Sequence, residues 1–68
     1  MFNIRLRDED GTAWLNVIDD ENYGWTEDRS EATVLQTRED AEKWNTKTTE
    51  HLARMQREGS TKIIELTN

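Results

Sequence analysis

Residues 37–58 are predicted to form the one amphipathic helix of this sequence, which ends at Gly59, and the rest of the chain has to cover its apolar face. The apolar stripe consists of residues three or four apart: Ala41, Trp44, Thr48, Leu52 and Met55. Thr37 can cap the start by accepting a hydrogen bond from the Asp40 amide, and Gly59 is typical of a helix end. A lone helix of this kind buries its stripe against a sheet, so the sequence predicts an α+β fold.

The first two strands are predicted from alternating polarity. Residues 2–7 alternate apolar and polar side chains, which indicates a strand with one buried face. Residues 8–11 supply turn chemistry, and the odd positions of residues 13–17 are expected to face the core. That assignment leaves Trp14 and Ile18 on the opposite face, although a slip of one residue would exchange the two sets.

Two further strands complete the predicted sheet. Residues 32–35 are interpreted as a short third strand, and residues 62–66 as the last, with Ile64 and Leu66 inward and Ile63 on the other face. The element order is then β-β-β-α-β. We expect a two-layer sandwich: a three- to four-stranded, mainly antiparallel sheet with one amphipathic helix on one face.

The size and composition predict one domain spanning residues 1–68. The chain has 68 residues, no Cys and 32% hydrophobic residues, so neither disulfides nor thiolate metal sites can reinforce a core that supplies only about 3–5 kcal/mol. No apolar run approaches the ~18 residues of a membrane span, and the start has no signal-peptide block. We expect a soluble, cytoplasmic protein without a membrane partner.

The net charge of −6 belongs entirely to the first half of the chain. Residues 1–34 contain nine acidic residues against three Arg, whereas residues 35–68 contain six acidic and six basic residues. Phosphate binding requires a basic surface that releases counterions, so this asymmetry disfavours nucleic acid as a direct ligand.

The acidic residues cluster in turns and in a long loop predicted over residues 19–30, with one helical turn near residues 26–29. The candidate partner-binding acids are Asp8, Glu9, Asp10, Asp19, Asp20, Glu21, Glu27 and Asp28, with Glu31 beside the last two. One interpretation is that turns favour Asp and that a small domain needs charge for solubility. The alternative is an elongated acidic edge that imitates the spaced phosphates of a nucleic acid and occupies a basic groove.

Aromatic side chains are the second candidate surface. Trp14, Tyr23 and Trp25 are residue types enriched in interface hot spots and are candidate partner-binding anchors. Tyr23 and Trp25 could instead fold back to cap the small core. Trp44 lies in the helix stripe and is assigned to the core.

The inventory offers no catalytic, metal-binding or cofactor-binding constellation. His51 has neither a nucleophile nor an orienting group at a suitable spacing, and one His provides too few ligands for a metal. The basic helix residues Lys43, Lys47, Arg54 and Arg57 are mixed with Glu and are expected to be solvated. We therefore predict a protein that is not an enzyme and needs no cofactor.

Residues 24–42 resemble a pattern found in small phage and prophage proteins. Gly24-Trp25-Thr26-Glu27-Asp28 matches a Trp-Thr-x-Asp turn, and Thr37-Arg38-Glu39-Asp40-Ala41-Glu42 matches a Thr-x-Glu-Glu-Ala-Glu helix start. The resemblance covers roughly residues 1–45. Leu35 replaces the usual aromatic residue, and the helix is longer than usual. The resemblance implies a mobile-element origin, with a location in the host cytoplasm if a phage encodes the protein, and it implies no activity. Acidic phage proteins of this size, including anti-restriction and anti-CRISPR inhibitors, often act by occupying a host nuclease.

Taken together, these features predict a small acidic protein-binding module that inhibits a host nucleic-acid-handling or defence protein by covering its basic surface. The alternative is a structural or assembly protein that forms a homodimer through strand edges or its aromatic face.

Overall fold

A four-stranded antiparallel sheet and one helix make up the computed structural model, which describes residues 1–56 and 58–66. The elements are β1 (Phe2–Asp8), β2 (Gly11–Val17), β3 (Tyr23–Thr26), a single 3-10 turn (Arg29–Glu31), α1 (Arg38–Arg54) and β4 (Ser60–Glu65). The strand order across the sheet is β3-β2-β1-β4. The predicted α+β class, with one helix and a four-stranded antiparallel sheet, is confirmed.

The inner face of the sheet is the one that α1 covers, and its register agrees with the sequence prediction for β1 and β2. Leu6 lies opposite Ala13, so the alternating apolar residues of both strands point to the same side. Ile4, Leu6 and Leu15 are almost completely buried. On the outer face Trp14 lies opposite Arg5.

The orientation predicted for β4 is wrong by one residue. Ile63 lies opposite Ile4 and packs against the core, whereas Ile64 lies opposite Asn3 on the outer face. Leu66, just beyond the strand, follows the same alternation and donates its N–H to the Met1 carbonyl at 2.8 Å. Because Ile63 and Ile64 are adjacent and equally apolar, period-two alternation does not predict which of them faces the core. The register of β4 against β1 determines it.

The third strand is also not where the sequence placed it. β3 is Tyr23–Thr26, inside the segment predicted as a loop, and it extends β2 as an edge strand. The predicted helical turn lies three residues later, at Arg29–Glu31, where the Asp28 side chain caps it. Polar residues and Gly24 obscure the strand pattern here, because an edge strand with one half-covered face needs few apolar side chains.

Residues 32–35 form a wedge between the separating ends of β1 and β2. Continuing the ladder would place Phe2 opposite Val17, but Phe2 instead exchanges two backbone hydrogen bonds with Leu35, each 2.8 Å long. Thr33 donates its N–H to the Leu15 carbonyl at 2.9 Å, and its hydroxyl accepts from the Val17 amide at 2.7 Å. The wedge thereby satisfies strand groups that the separation would leave unpaired.

The helix begins as predicted and ends earlier. The Thr37 hydroxyl accepts from the Asp40 amide at 3.1 Å, and Ala41, Trp44, Thr48 and Leu52 are buried. Met55 was predicted as part of the stripe but is 61% exposed, because α1 ends at Arg54. Gln56, with φ 52°, takes the left-handed conformation that leads the chain away, so Gly59 does not terminate the helix. Arg57, assigned to the basic helix edge, lies outside the described residues.

Candidate functional site

Three of the candidate acids have a local structural role. The Asp8 carboxylate accepts from the amides of Asp10 and Gly11, closing the β1–β2 turn. The Asp28 carboxylate accepts from the Ser30 amide and hydroxyl at 2.9 and 2.7 Å. The Asp19 carboxylate accepts from the turn that follows it. Turn and cap chemistry therefore accounts for these Asp residues.

Hydrogen bonding lowers the pKa of two of these carboxyls. At Asp19 the largest cause is the Asn22 side chain, followed by the amides of Glu21 and Asn22. At Asp28 the causes are the Ser30 hydroxyl and then the Ser30 amide. Both carboxylates are stabilised in the ionised form by donors from their own turns.

Acidic residues from both halves of the chain line one end of the sheet. We call this surface, formed by Asp8, Glu9, Asp10, Glu27 and Glu58, the acidic end. Glu27 and the β1–β2 turn line one depression of about 190 Å³, and Glu58 lines another of about 250 Å³ with the same turn. Three separate stretches meet there: the turn, the residue after β3 and the residue before Gly59. The antiparallel order of the strands brings them together.

The carboxylates of the acidic end, apart from Asp8, are not used by the fold. Within residues 1–56 and 58–66, Glu9, Asp10, Glu27 and Glu58 make no ion pair and accept no side-chain or amide hydrogen bond. They are also exposed. Like charges brought together without partners repel each other and destabilise a compact chain. Local turn chemistry therefore gives no reason for these four side chains to be acidic.

The second acidic cluster lies at the opposite end of β2 and has lysine neighbours. The Lys47 ammonium donates to the Asp20 carbonyl, and the Lys43 ammonium is 4.0 Å from the Asp20 carboxylate. β2 has seven residues, which separate its two ends by about 20 Å. Asp19, Asp20 and Glu21 thus form a lysine-flanked turn that is distinct from the acidic end, and the two clusters do not converge.

Tyr23 is part of a ring cluster between β3 and the helix. Its ring meets Trp44 edge-on at 5.3 Å between centroids and His51 at 5.7 Å. The Lys47 ammonium lies 4.8 Å from the Trp44 ring centroid and 5.4 Å from that of Tyr23. Because Lys47 also binds the Asp20 carbonyl, this cluster attaches the lysine-flanked turn to α1.

The two remaining aromatic candidates lie on opposite faces of the sheet. Trp25 pairs with Leu15 on the inner face and packs against the core, so the core-capping interpretation applies to it. Trp14 is half-buried on the outer face, and the Arg29 guanidinium stacks 4.6 Å above its ring. Neither indole is presented as a free anchor, and neither belongs to the acidic end.

Sequence reasoning missed Glu58 and a set of basic side chains on the outer face. Glu58 was counted among the balanced charges of the second half, and only the β4 position beside β1 places it near the first turn. Arg5 and Arg7 share a face by alternation, which the sequence does indicate. Their neighbour Lys62 becomes visible only through the β1–β4 register, which sets it opposite Arg5.

Within the part of the chain that the structure describes, no group of three or more His, Cys, Asp or Glu side chains is arranged to hold a metal ion. Among the same residues, no helix combines the length and apolar character that crossing a membrane requires.

Comparisons with known proteins give no relative from which a role could be transferred. No protein-family model matches the chain, and neither a curated protein nor a solved structure is significantly similar to it.

Proposed function

We propose that this protein is an acidic protein-binding module that docks its acidic end on a basic surface of another protein. The partner we propose is a nucleic-acid-handling or defence protein of a host, inhibited because the acidic end occupies the surface that binds phosphates. The observation that carries the proposal is the row of carboxylates along one end of the sheet: Glu9, Asp10, Glu27 and Glu58. These four exposed carboxylates have no ion-pair partner among the described residues and no role in a turn.

The proposal concerns one end of the molecule and not an elongated edge. The lysine-flanked turn already has Lys43 and Lys47 beside Asp20, which reduces the negative potential there. The carboxylate of Asp19 is engaged by its own turn. A basic groove would therefore find its strongest complement at the acidic end, where Glu9, Asp10, Glu27 and Glu58 are exposed and have no ion-pair partner among the described residues.

Aromatic anchoring has a smaller part in this proposal. Tyr23 and Trp25 pack against the core, and Trp14 is stacked by Arg29. Binding dominated by exposed charges is steered over long range and weakens as salt screens it, over a Debye length of about 8 Å at physiological ionic strength. The proposed complex should accordingly form fast and be sensitive to salt.

The test uses a charge reversal with a matched control. Glu9→Lys, Asp10→Lys and Glu27→Lys are combined in one variant, and Glu21→Lys, Glu39→Lys and Glu50→Lys in the control. Both variants change the net charge by the same amount at exposed positions. Each protein is immobilised, and binding is measured from a nuclease-treated bacterial lysate at low and at high salt.

We expect the parent and the control to retain the same protein, and the acidic-end variant to lose it. Added duplex DNA should release the retained protein, because the two compete for one basic surface. Purified, that protein should lose nucleic-acid binding when this chain is added. Retention that survives high salt, or that is equal in the two triple variants, would contradict the proposal.

A further inference from the structure

The outer face of the sheet is cationic, although it belongs mostly to the acidic half of the chain. Arg5 and Arg7 of β1 and Lys62 of β4 lie on this face, and we call them the cationic patch. In the strands, none of the described outward-facing positions carries a carboxylate. The strand positions of this face therefore carry bases and no acids, and the Glu31 carboxylate reaches the face only at Thr26 of β3.

The cationic patch concentrates positive charge at a cost to the sheet. Arg5 and Lys62 are direct cross-strand partners, and like charges placed directly opposite each other destabilise a sheet. The Nε atom of Arg5 is buried and has no hydrogen-bond partner among residues 1–56 and 58–66, and a buried donor without an acceptor is unfavourable. An anion over this pair of strands would relieve the repulsion, because it would lie between two like charges.

The chemistry of the patch fits a carboxylate. Arginine presents a planar fork of donors that a carboxylate can accept in bidentate fashion, and the Lys62 ammonium can bind the same or a neighbouring group. Arg7 is two residues along β1 from Arg5, at a spacing of about 6.6 Å in a strand. Carboxylates that project together from a turn can therefore engage more than one of these cations.

The acidic end adjoins this patch in the same molecule, since Arg7 is followed directly by Asp8 and lies opposite Ser60 of β4. A surface with a positive half beside a negative half is complementary to itself after a two-fold rotation about the boundary. We infer that the cationic patch binds the acidic end of a second copy of this chain, giving a two-fold dimer. Each copy then supplies carboxylates to the other.

The dimer has properties that follow from its charged contacts. Exposed ion pairs are individually weak and are screened by salt, so association should be weak and favoured at low ionic strength. The contact does not use strand edges or the aromatic side chains. The dimer covers the acidic end. If the proposed function holds, a basic partner and the second copy therefore compete for the same carboxylates.

Sedimentation velocity of the pure protein tests the inference, at concentrations from about 10 μM to 1 mM and at low and high salt. We expect a concentration-dependent dimer at low salt that dissociates at high salt. One variant carries Arg7→Glu and Lys62→Glu, and the other Glu9→Lys and Glu27→Lys. All four positions are exposed, so the fold is not at risk. Each variant alone should associate at least about tenfold more weakly, because attractive pairs become repulsive.

An equimolar mixture of the two variants should restore dimerisation, because the two reversals complement each other. The glutamates in the patch of one copy then meet the lysines at the end of the other, and the unchanged acidic end of the first meets the unchanged cationic patch of the second. A structural defect in either variant would not be repaired in this way. A monomer at low salt and 1 mM, a dimer unaffected by the reversals, or a mixture that stays monomeric would overturn the inference. So would binding of a short oligonucleotide to the patch of a protein that remains monomeric. The pure protein contains no host partner, so failure here leaves the capture experiment unaffected.

Discussion

Gly59 lies immediately before β4, beside the acidic end, and replacing it with Ala tests how tightly this segment packs against β1. Its φ is 136°, and a Cβ there would lie 3.0 Å from Leu6 Cδ1 and 3.1 Å from the Arg7 carbonyl oxygen. Leu6 is 1% exposed, so its methyl group has no free space, and the Arg7 oxygen belongs to the backbone of a central strand. Gly59→Ala thus combines backbone strain of about 1–3 kcal/mol with an overpacking cost of similar size.

We expect Gly59→Ala to lower the free energy of unfolding by about 2–4 kcal/mol, most of the ~3–5 kcal/mol that a core of this size supplies. At about 4–8 °C per kcal/mol for a domain of this length, Tm should fall by at least about 10 °C. Urea unfolding followed by circular dichroism, together with thermal melts, measures both quantities.

Gly24→Ala is the matched control. Gly24 has no positive φ, and a Cβ there would meet nothing within 4 Å. We expect a change within about 0.5 kcal/mol. Equal losses of stability in the two variants, or an unchanged stability of Gly59→Ala, would show that the segment before β4 does not pack against β1 as closely as the structure shows.

Three further predictions concern the wedge, the turns and the outer face. Thr33→Val removes the hydroxyl that accepts from a β2 amide and should cost about 1–2 kcal/mol in urea unfolding, whereas Thr33→Ser should retain most of the stability; equal losses would contradict the assigned hydrogen bond. The Asn22 side chain is the main cause of the lowered pKa of Asp19, so the ionised form stabilises the fold above about pH 4, and this contribution is lost as the pH falls through the folded value. Tm measured from pH 6 to pH 2 should fall less steeply in Asp19→Asn than in the parent, and parallel curves would refute the linkage. Arg29→Ala should cost about 0.5–1 kcal/mol and shift the Trp14 indole N–H resonance, and an unmoved resonance would argue against stacking.

Local patterns in the sequence were sufficient for the parts of the fold whose partners are near in sequence or whose periodicity is strong. The helix start at Thr37 and the buried stripe through Leu52 follow from capping chemistry and from 3.6-residue periodicity. The β1–β2 hairpin follows from period-two alternation and a turn with Gly11 at φ 134°. The acid-rich turns were likewise evident, and for Asp8 the predicted turn role is the one the structure contains.

Other features depended on contacts between segments far apart in the chain. β3 is a strand because it pairs with the edge of β2, which its own sequence pattern does not indicate. Residues 32–35 form a wedge because β1 and β2 separate at one end. The faces of Ile63 and Ile64 were decided by the register with β1. A short apolar pattern predicts that a segment is extended. It does not predict which strand the segment pairs with or which of its faces is buried, because these depend on contacts with the rest of the chain.

The candidate site divides in the same way. The sequence by itself determined which residues are acidic and that most of them lie in the first half. It also determined the alternation that puts Arg5 and Arg7 on one face. Only the tertiary structure decided that Glu27 and Glu58 join the first turn, that Lys43 and Lys47 accompany Asp20, and that Lys62 faces Arg5. Charge is a property of each residue, but the potential at a surface depends on which residues the strand order brings within a few ångströms of one another.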